Sequence, residues 1–133
     1  MQYKLSEYNP EVHDIFVCLS VKNPYAKMIA EGKKTVELRS RNVKYRGELV
    51  ICSSYVPEGE DSGCTLAIAN LYDVKKAKDL TPQEWEMTGI PEDKRYLYAK
   101  NTAWMLKDSR PIKKVPIKGQ LGIYRIALTK GDL

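Results

Sequence analysis

Histidine, phenylalanine and cysteine are scarce in this chain, which has one, one and three of them among 133 residues. With His13 as the lone imidazole and no nucleophile motif around it, Ser-His-Asp and Cys-His catalysis are excluded unless His13 serves. Cys18, Cys52 and Cys64 are odd in number and widely spaced, with no C-x-x-C pair. They read as buried apolar fillers of a chain kept in a reducing compartment, not as a disulfide framework. A structural zinc needs about four Cys, His or carboxylate ligands, or three and a water. The sequence therefore predicts no metal and no other cofactor. No run of about 18 apolar residues is present, so no membrane partner is expected. The opening segment Met1–Glu7 lacks the apolar stretch and cleavage site of a secretory signal, and a cytoplasmic location is the expectation.

What the chain does have is positive charge in an ordinary globular composition. Hydrophobic residues make up 43% and charged residues 29%, which suits a packed core and suits neither a membrane span nor a disordered chain. The length predicts one domain over residues 1–133, with its core at about 15–128. Net charge is +5, compatible with a polyanionic partner. Its distribution is more telling than its sum. Lys33, Lys34, Arg39, Arg41, Lys44 and Arg46 fall within one short stretch that holds a single acid, Glu37. A second basic cluster follows at Lys107, Arg110, Lys113, Lys114 and Lys118. A charge run of this kind is also what a solvated surface presents.

Periodicity supplies the elements. Ile15–Val21 is apolar and β-branched, as a buried strand is. A helix follows, with Asn23 as cap, Pro24 at the first helical position, a stripe of Tyr25, Met28 and Ile29, and Gly32 as its stop. Thr35–Arg41 alternates, placing Val36 and Leu38 on one face and Glu37, Arg39 and Arg41 on the other. Leu49–Cys52 and Cys64–Val74 read as strands, separated by an acidic loop at Pro57–Gly63. Thr81-Pro82-Gln83-Glu84 has the form of a capping box opening a short helix that Gly89 ends. Tyr96–Ala99 and Thr102–Leu106 look strand-like, Pro111 and Pro116 bracket an extended basic segment, and Gly119–Leu128 reads as the closing strand. The sum is an α+β fold or small barrel of about five to six strands with two to three helices.

Two stretches then stand out together. Leu19-Ser20-Val21-Lys22-Asn23-Pro24-Tyr25-Ala26, followed by Gly32-Lys33-Lys34-Thr35-Val36-Glu37-Leu38-Arg39, resembles the signature of the ASCH family: a strand, a Pro-aromatic-Ala helix start and the motif G-x-K-x-x-E-x-R. Gly32, Lys34, Glu37 and Arg39 match its fixed positions. Tyr45-Arg46-Gly47, Ala103-Trp104, Pro116-Ile117-Lys118-Gly119 and Gly122 look like later landmarks of the family. The resemblance implies a PUA-like small mixed β-barrel with a cleft beside the motif strand. It also implies a partner that is RNA, a nucleotide or a modified nucleoside, while some relatives are hydrolases acting on acetylated cytidine or on RNA.

On that basis Lys22, Tyr25, Lys34, Glu37, Arg39, Arg41, Tyr45 and Trp104 are the expected ligand contacts. Arg39 and Arg41 suit bidentate phosphate recognition, and Lys34 adds a compact charge. Tyr25, Tyr45 and Trp104 offer faces for stacking, though each could equally be core. Glu37 would accept from an exocyclic amine. Lys107, Arg110, Lys113, Lys114 and Lys118 are the expected auxiliary backbone contacts. A metal-independent amidohydrolase or ribonuclease is the alternative, with Lys34 and Glu37 as its catalytic pair. Against it, the hydrolytic relatives resemble G-x-K-T-x-T-x-R, and their second threonine is here Glu37. A third alternative is a protein-interaction adaptor without nucleic acid. One spatial condition governs all readings that use the pair: residues three apart in a single strand face opposite ways, so Lys34 must lie in the turn or beside a bulge.

Overall fold

A computed structural model describes residues 1–133. It contains strands β1 (Gln2–Tyr3), β2 (His13–Val21), β3 (Val36–Arg39), β4 (Gly47–Ser53), β5 (Thr65–Lys76), β6 (Thr102–Pro111) and β7 (Ile123–Thr129), with helices α1 (Tyr25–Ala30) and α2 (Pro82–Glu86). The strands form one mixed sheet in the order β1-β7-β2-β4-β5-β6-β3. β2 and β4 run parallel, and every other neighbouring pair is antiparallel. A parallel pair cannot be joined by a hairpin. Here the crossover carries α1 and β3, and that detour holds the motif. The order has two ends, β1 and β3, so the barrel-like α+β arrangement is not closed by hydrogen bonds. No helix is long and apolar enough to cross a membrane.

Both faces of the central strands are covered, which explains why β2 and β4 read as continuous apolar runs. Leu19 and Val21 point to a core shared with Leu49, Ile51, Leu71, Trp104 and the α1 residues Ala26 and Ile29. Cys18 points the other way, joining Val50, Cys52, Tyr124, Ile126 and Leu128 under a lid of Val115 and Ile117. Each fully buried Leu or Ile contributes about 1.5–3 kcal/mol of transfer free energy. A third, smaller cluster of Val36, Ala77, Leu80, Ala103 and Met105 anchors β3. Cys18 and Cys52 are buried and Cys64 half-buried, all as free thiols.

Helix punctuation follows the sequence in two of three places. Gly32 adopts φ +75° after α1, and the Lys33 and Lys34 amides both donate to the Met28 carbonyl. At α2, Thr81 Oγ1 accepts from the Glu84 amide while the Thr81 amide donates to Glu84 Oε1. Asn23, expected as the cap of α1, does something else. Pro24 takes the cap position with no side-chain bond, and Asn23 Nδ2 donates to the Pro57 carbonyl at 3.0 Å, pinning the acidic loop.

Tyr96–Ala99 also departs from expectation. Residues Glu92–Tyr98 form a 3-10 helix. Tyr96 and Leu97 are 74% and 61% exposed, so no sheet neighbour covers them, and Arg95 Nε ties the turn down by donating to the Ile90 carbonyl at 3.0 Å. Aromatic strand propensity reflects packing on a pleated surface, and this segment has none to pack on.

Candidate functional site

Lys34 lies between the Gly32 turn and β3, outside the strand. The alternation rule therefore does not bind it, and its side chain meets that of Glu37. Lys34 Nζ is 3.3 Å from Glu37 Oε1. It also donates to the Val36 carbonyl at 2.7 Å and the Thr88 carbonyl at 2.6 Å. Three ammonium protons thus have three acceptors. The residue is 2% exposed, with the Tyr25 ring centroid 5.1 Å from Nζ. Burial draws its pKa below the ordinary lysine value of 10.5, and the Glu37 charge opposes that pull.

Glu37 is itself buried, although it lies on the polar face of this strand. Its Oε2 accepts from Arg39 Nε at 2.9 Å and lies 2.8 Å from Nη2. Two guanidinium nitrogens thus converge on one carboxylate oxygen, while the other oxygen faces Lys34. Arg39 Nη2 also donates to the Ser20 carbonyl at 2.8 Å, crossing from β3 to β2. Behind it stands the Trp104 ring, with its centroid 5.8 Å from the guanidinium carbon. One edge of Arg39, Nη1, has no protein partner. The Lys34–Glu37–Arg39 row carries a net single positive charge and fixes its own geometry.

This row floors a cavity of about 360 Å³, at the small end of the ~300–1,000 Å³ range for ligand pockets. Ser20, Val21 and Lys22 at the end of β2 form one side, with Tyr25 of α1. Ile90 and Tyr98 form another, and Gln120, Leu121 and Gly122 close the rim from the loop before β7. Gly89 makes the second wall possible. Its φ is +74°, a backbone conformation that glycine adopts without strain, and a Cβ there would also push on Met28 Cε, 2.8 Å away at the movable end of its side chain.

The ASCH domain family profile matches residues 19–116, which span the end of β2, the motif and β6. The chain belongs to the ASCH domain family. Solved ASCH structures share the fold. The ASCH protein of Zymomonas mobilis aligns with a TM-score of 0.62 at 23% identity, over 76% of this chain and 73% of that one. Two point variants of it align at 22% identity: one with TM-score 0.61 over 76% and 75% of the two chains, the other with 0.60 over 75% and 72%. No curated protein sequence matches the chain.

Of the expected contacts, the ASCH cavity gathers Lys22, Tyr25, Lys34, Glu37 and Arg39. Three do not line it. Arg41 is exposed beyond the end of β3, where the chain has turned so that its carbonyl accepts from Trp104 Nε1 at 3.1 Å and Thr102 Oγ1 at 2.8 Å. Trp104 is 4% exposed, a core residue that backs Arg39. Tyr45 donates to the Glu48 carbonyl at 2.7 Å, away from the cavity.

None of the five auxiliary cations lines the cavity either. Lys107 Nζ sits 5.1 Å over the Tyr72 ring, Arg110 faces Glu48 at 3.4 Å, and Lys114 pairs with Asp61. The Lys113 carbonyl accepts from Thr65 Oγ1 at 2.7 Å. Lys118 lies in a neighbouring cavity.

Tyr98, Ile90, Gln120 and Leu121 are wall residues of the ASCH cavity that residue type and spacing did not single out. Tyr98 was hidden by its apparent strand. Leu121 carries a signal only in the structure, as an apolar side chain 98% exposed at a cavity rim. No three His, Cys, Asp or Glu side chains gather anywhere as a metal site would require.

Proposed function

We propose that this chain is an RNA- or nucleoside-binding module, seating a base or nucleotide over Arg39 and Glu37. Membership of a family generally proposed to bind RNA supports the reading. The observation that carries it is the unpaired Nη1 edge of Arg39, presented beside a carboxylate already held by two cations. An arginine so fixed loses little freedom when a phosphate or base acceptor meets it. Glu37 offers an acceptor to an exocyclic amine. Tyr25 and Tyr98 stand on two walls with Leu121 at the rim, a setting for a planar ring. Lys22, exposed and without an ion pair, adds charge at the edge.

The hydrolytic alternative asks Lys34 or Glu37 for a free lone pair. A neutral Lys34 would have two N–H groups for three acceptors, and both Glu37 oxygens already face cations. That arrangement favours holding a ligand over activating water.

The experiment is an equilibrium titration with labelled single-stranded RNA and with nucleoside monophosphates at several salt concentrations. Binding that weakens with salt is expected, because phosphate contacts release counterions. Arg39→Ala should lose about 1.5–3 kcal/mol, the worth of a hydrogen bond to a charged group. Turnover of acetylcytidine or RNA by the native protein, abolished in a folded Lys34→Met variant, would overturn it. So would affinity for neither ligand, the outcome a protein-interaction adaptor predicts.

A further inference from the structure

We infer that the ligand is a single strand which leaves the Arg39 cavity, crosses Gln120 and enters a second, phosphate-binding subsite made by Lys4, Lys118 and Arg125. The inference rests on the reading of the first cavity as a nucleotide site.

Three cavities adjoin. Ser20, Ser54 and Leu121 line both the first and a second of about 250 Å³, and Gln120 lines these two and a third of about 720 Å³. The third holds Lys4, Lys118 and Arg125, none of which has an ion-pair partner. Its one acid is Glu7, whose Oε1 is engaged by the Lys4 amide at 3.0 Å. An excess of unpaired cations in a concave site is the electrostatic form of a phosphate track.

The subsite is also built in advance. The Lys118 amide donates to Gln2 Oε1 at 2.6 Å, and its carbonyl accepts from Gln2 Nε2 at 3.4 Å. Gln2 belongs to β1, which pairs with β7 through Gln2↔Leu128 and Tyr3↔Ala127. Arg125 projects from β7 itself. Two elements of one sheet thus fix the loop that separates the cavities.

Scale sets the ligand class. Lys118 and Leu121 are three residues apart, at most ~10 Å even fully extended. Even at the stacked spacing of a duplex strand, one phosphate per ~3.4 Å of axis, a few nucleotides reach from one site to the other, and an unstacked strand needs fewer. A mononucleotide fills the first cavity alone. A duplex keeps its bases stacked, whereas the first cavity takes a base that has left its stack.

The test compares a nucleoside monophosphate with single-stranded RNA and DNA oligonucleotides of increasing length, using native protein and the triple variant Lys4→Ala/Lys118→Ala/Arg125→Ala. Native affinity should rise with length and then level off. The variant should bind the monophosphate as native protein does, while its salt slope for the oligonucleotide flattens by ~0.7 for each phosphate it no longer neutralises. The single Arg125→Ala change gives a second reading if the triple variant proves poorly folded. Length-independent affinity with monophosphate binding intact would overturn the strand inference and leave the first cavity's role standing. Loss of all binding to native protein would overturn both. Equal affinity for duplex, or displacement of the strand by an acidic peptide, would assign the cationic cavity to other partners and also overturn it. A preference for RNA over DNA at equal length identifies the 2′-hydroxyl as part of what is read.

Discussion

Lys34 Nζ and Glu37 Oε1 lie 3.3 Å apart, although three residues of unbroken strand would turn them to opposite faces. The contact exists because Gly32, at φ +75°, swings Lys34 out of the strand before β3 begins. Lys34 is therefore a buried strut between the motif and the turn after α2, and Arg39 is the member of the row left to meet a ligand.

A strut and a surface cation respond differently to removal. Lys34→Ala should destabilise the fold by about 3–5 kcal/mol in urea unfolding, because Glu37 keeps one cation only and two buried carbonyls are left without their donor. A change within about 0.5 kcal/mol, the range of ordinary surface substitutions, would contradict a structural role for the ammonium.

The same group gives an alkaline signature. Its folded-state pKa is below the ordinary 10.5, with burial the leading cause. Between that lowered value and 10.5 the unfolded chain binds more protons than the folded one, so Lys34's contribution to stability grows as pH rises. The stability of native protein relative to Lys34→Met should accordingly be flat at lower pH and increase across this window. If it fell instead, pairing with Glu37 would outweigh burial.

Two of the aromatic residues around the motif should separate cleanly. Trp104→Ala should cost about 3–5 kcal/mol of folding stability, as large core truncations do. Tyr98→Ala should leave folding nearly unchanged yet remove about 1–3 kcal/mol of ligand affinity, the scale of base stacking. Paired unfolding and binding measurements on the two variants check this, and the reverse assignment would make Trp104 the stacking face.

Arg39→Lys tests shape apart from charge. An ammonium carries its three donors on one nitrogen. Once two of them meet Glu37 Oε2 and the Ser20 carbonyl, the third cannot stand where Nη1 does, whereas the guanidinium presents Nη1 as a separate planar edge. Affinity should fall nearly as far as in Arg39→Ala. Full retention of binding in Arg39→Lys would mean that charge alone is recognised.

How much of this could be read from residues alone depends on whether a signal is local. Ile15–Val21, Leu49–Cys52 and the Thr81 capping box were legible because apolar runs and caps act over a few neighbours. Asn23 had the right type for a cap, but the acidic loop, more than thirty residues away, claims its amide. Trp104 and Tyr98 show the same limit from two sides. Trp104 reads as a stacking face or core and Tyr98 as part of a strand, and only the register Glu37↔Trp104 puts the indole behind Arg39 instead of in the cavity. Gln120 and Leu121 carry no chemistry in sequence, and become walls through the loop geometry that precedes β7. The family motif named Lys34, Glu37 and Arg39 together, but not the division of labour among them.

Mapping amide shifts by NMR during titration with a short single-stranded RNA is the most direct measurement. Saturable changes concentrated at Ser20, Tyr25, Arg39, Ile90, Tyr98 and Leu121, absent in a folded Arg39→Ala variant, are predicted. Shifts confined to the surface around Lys107 and Arg110, or none at all, would contradict a ligand seated on the Lys34–Glu37–Arg39 row.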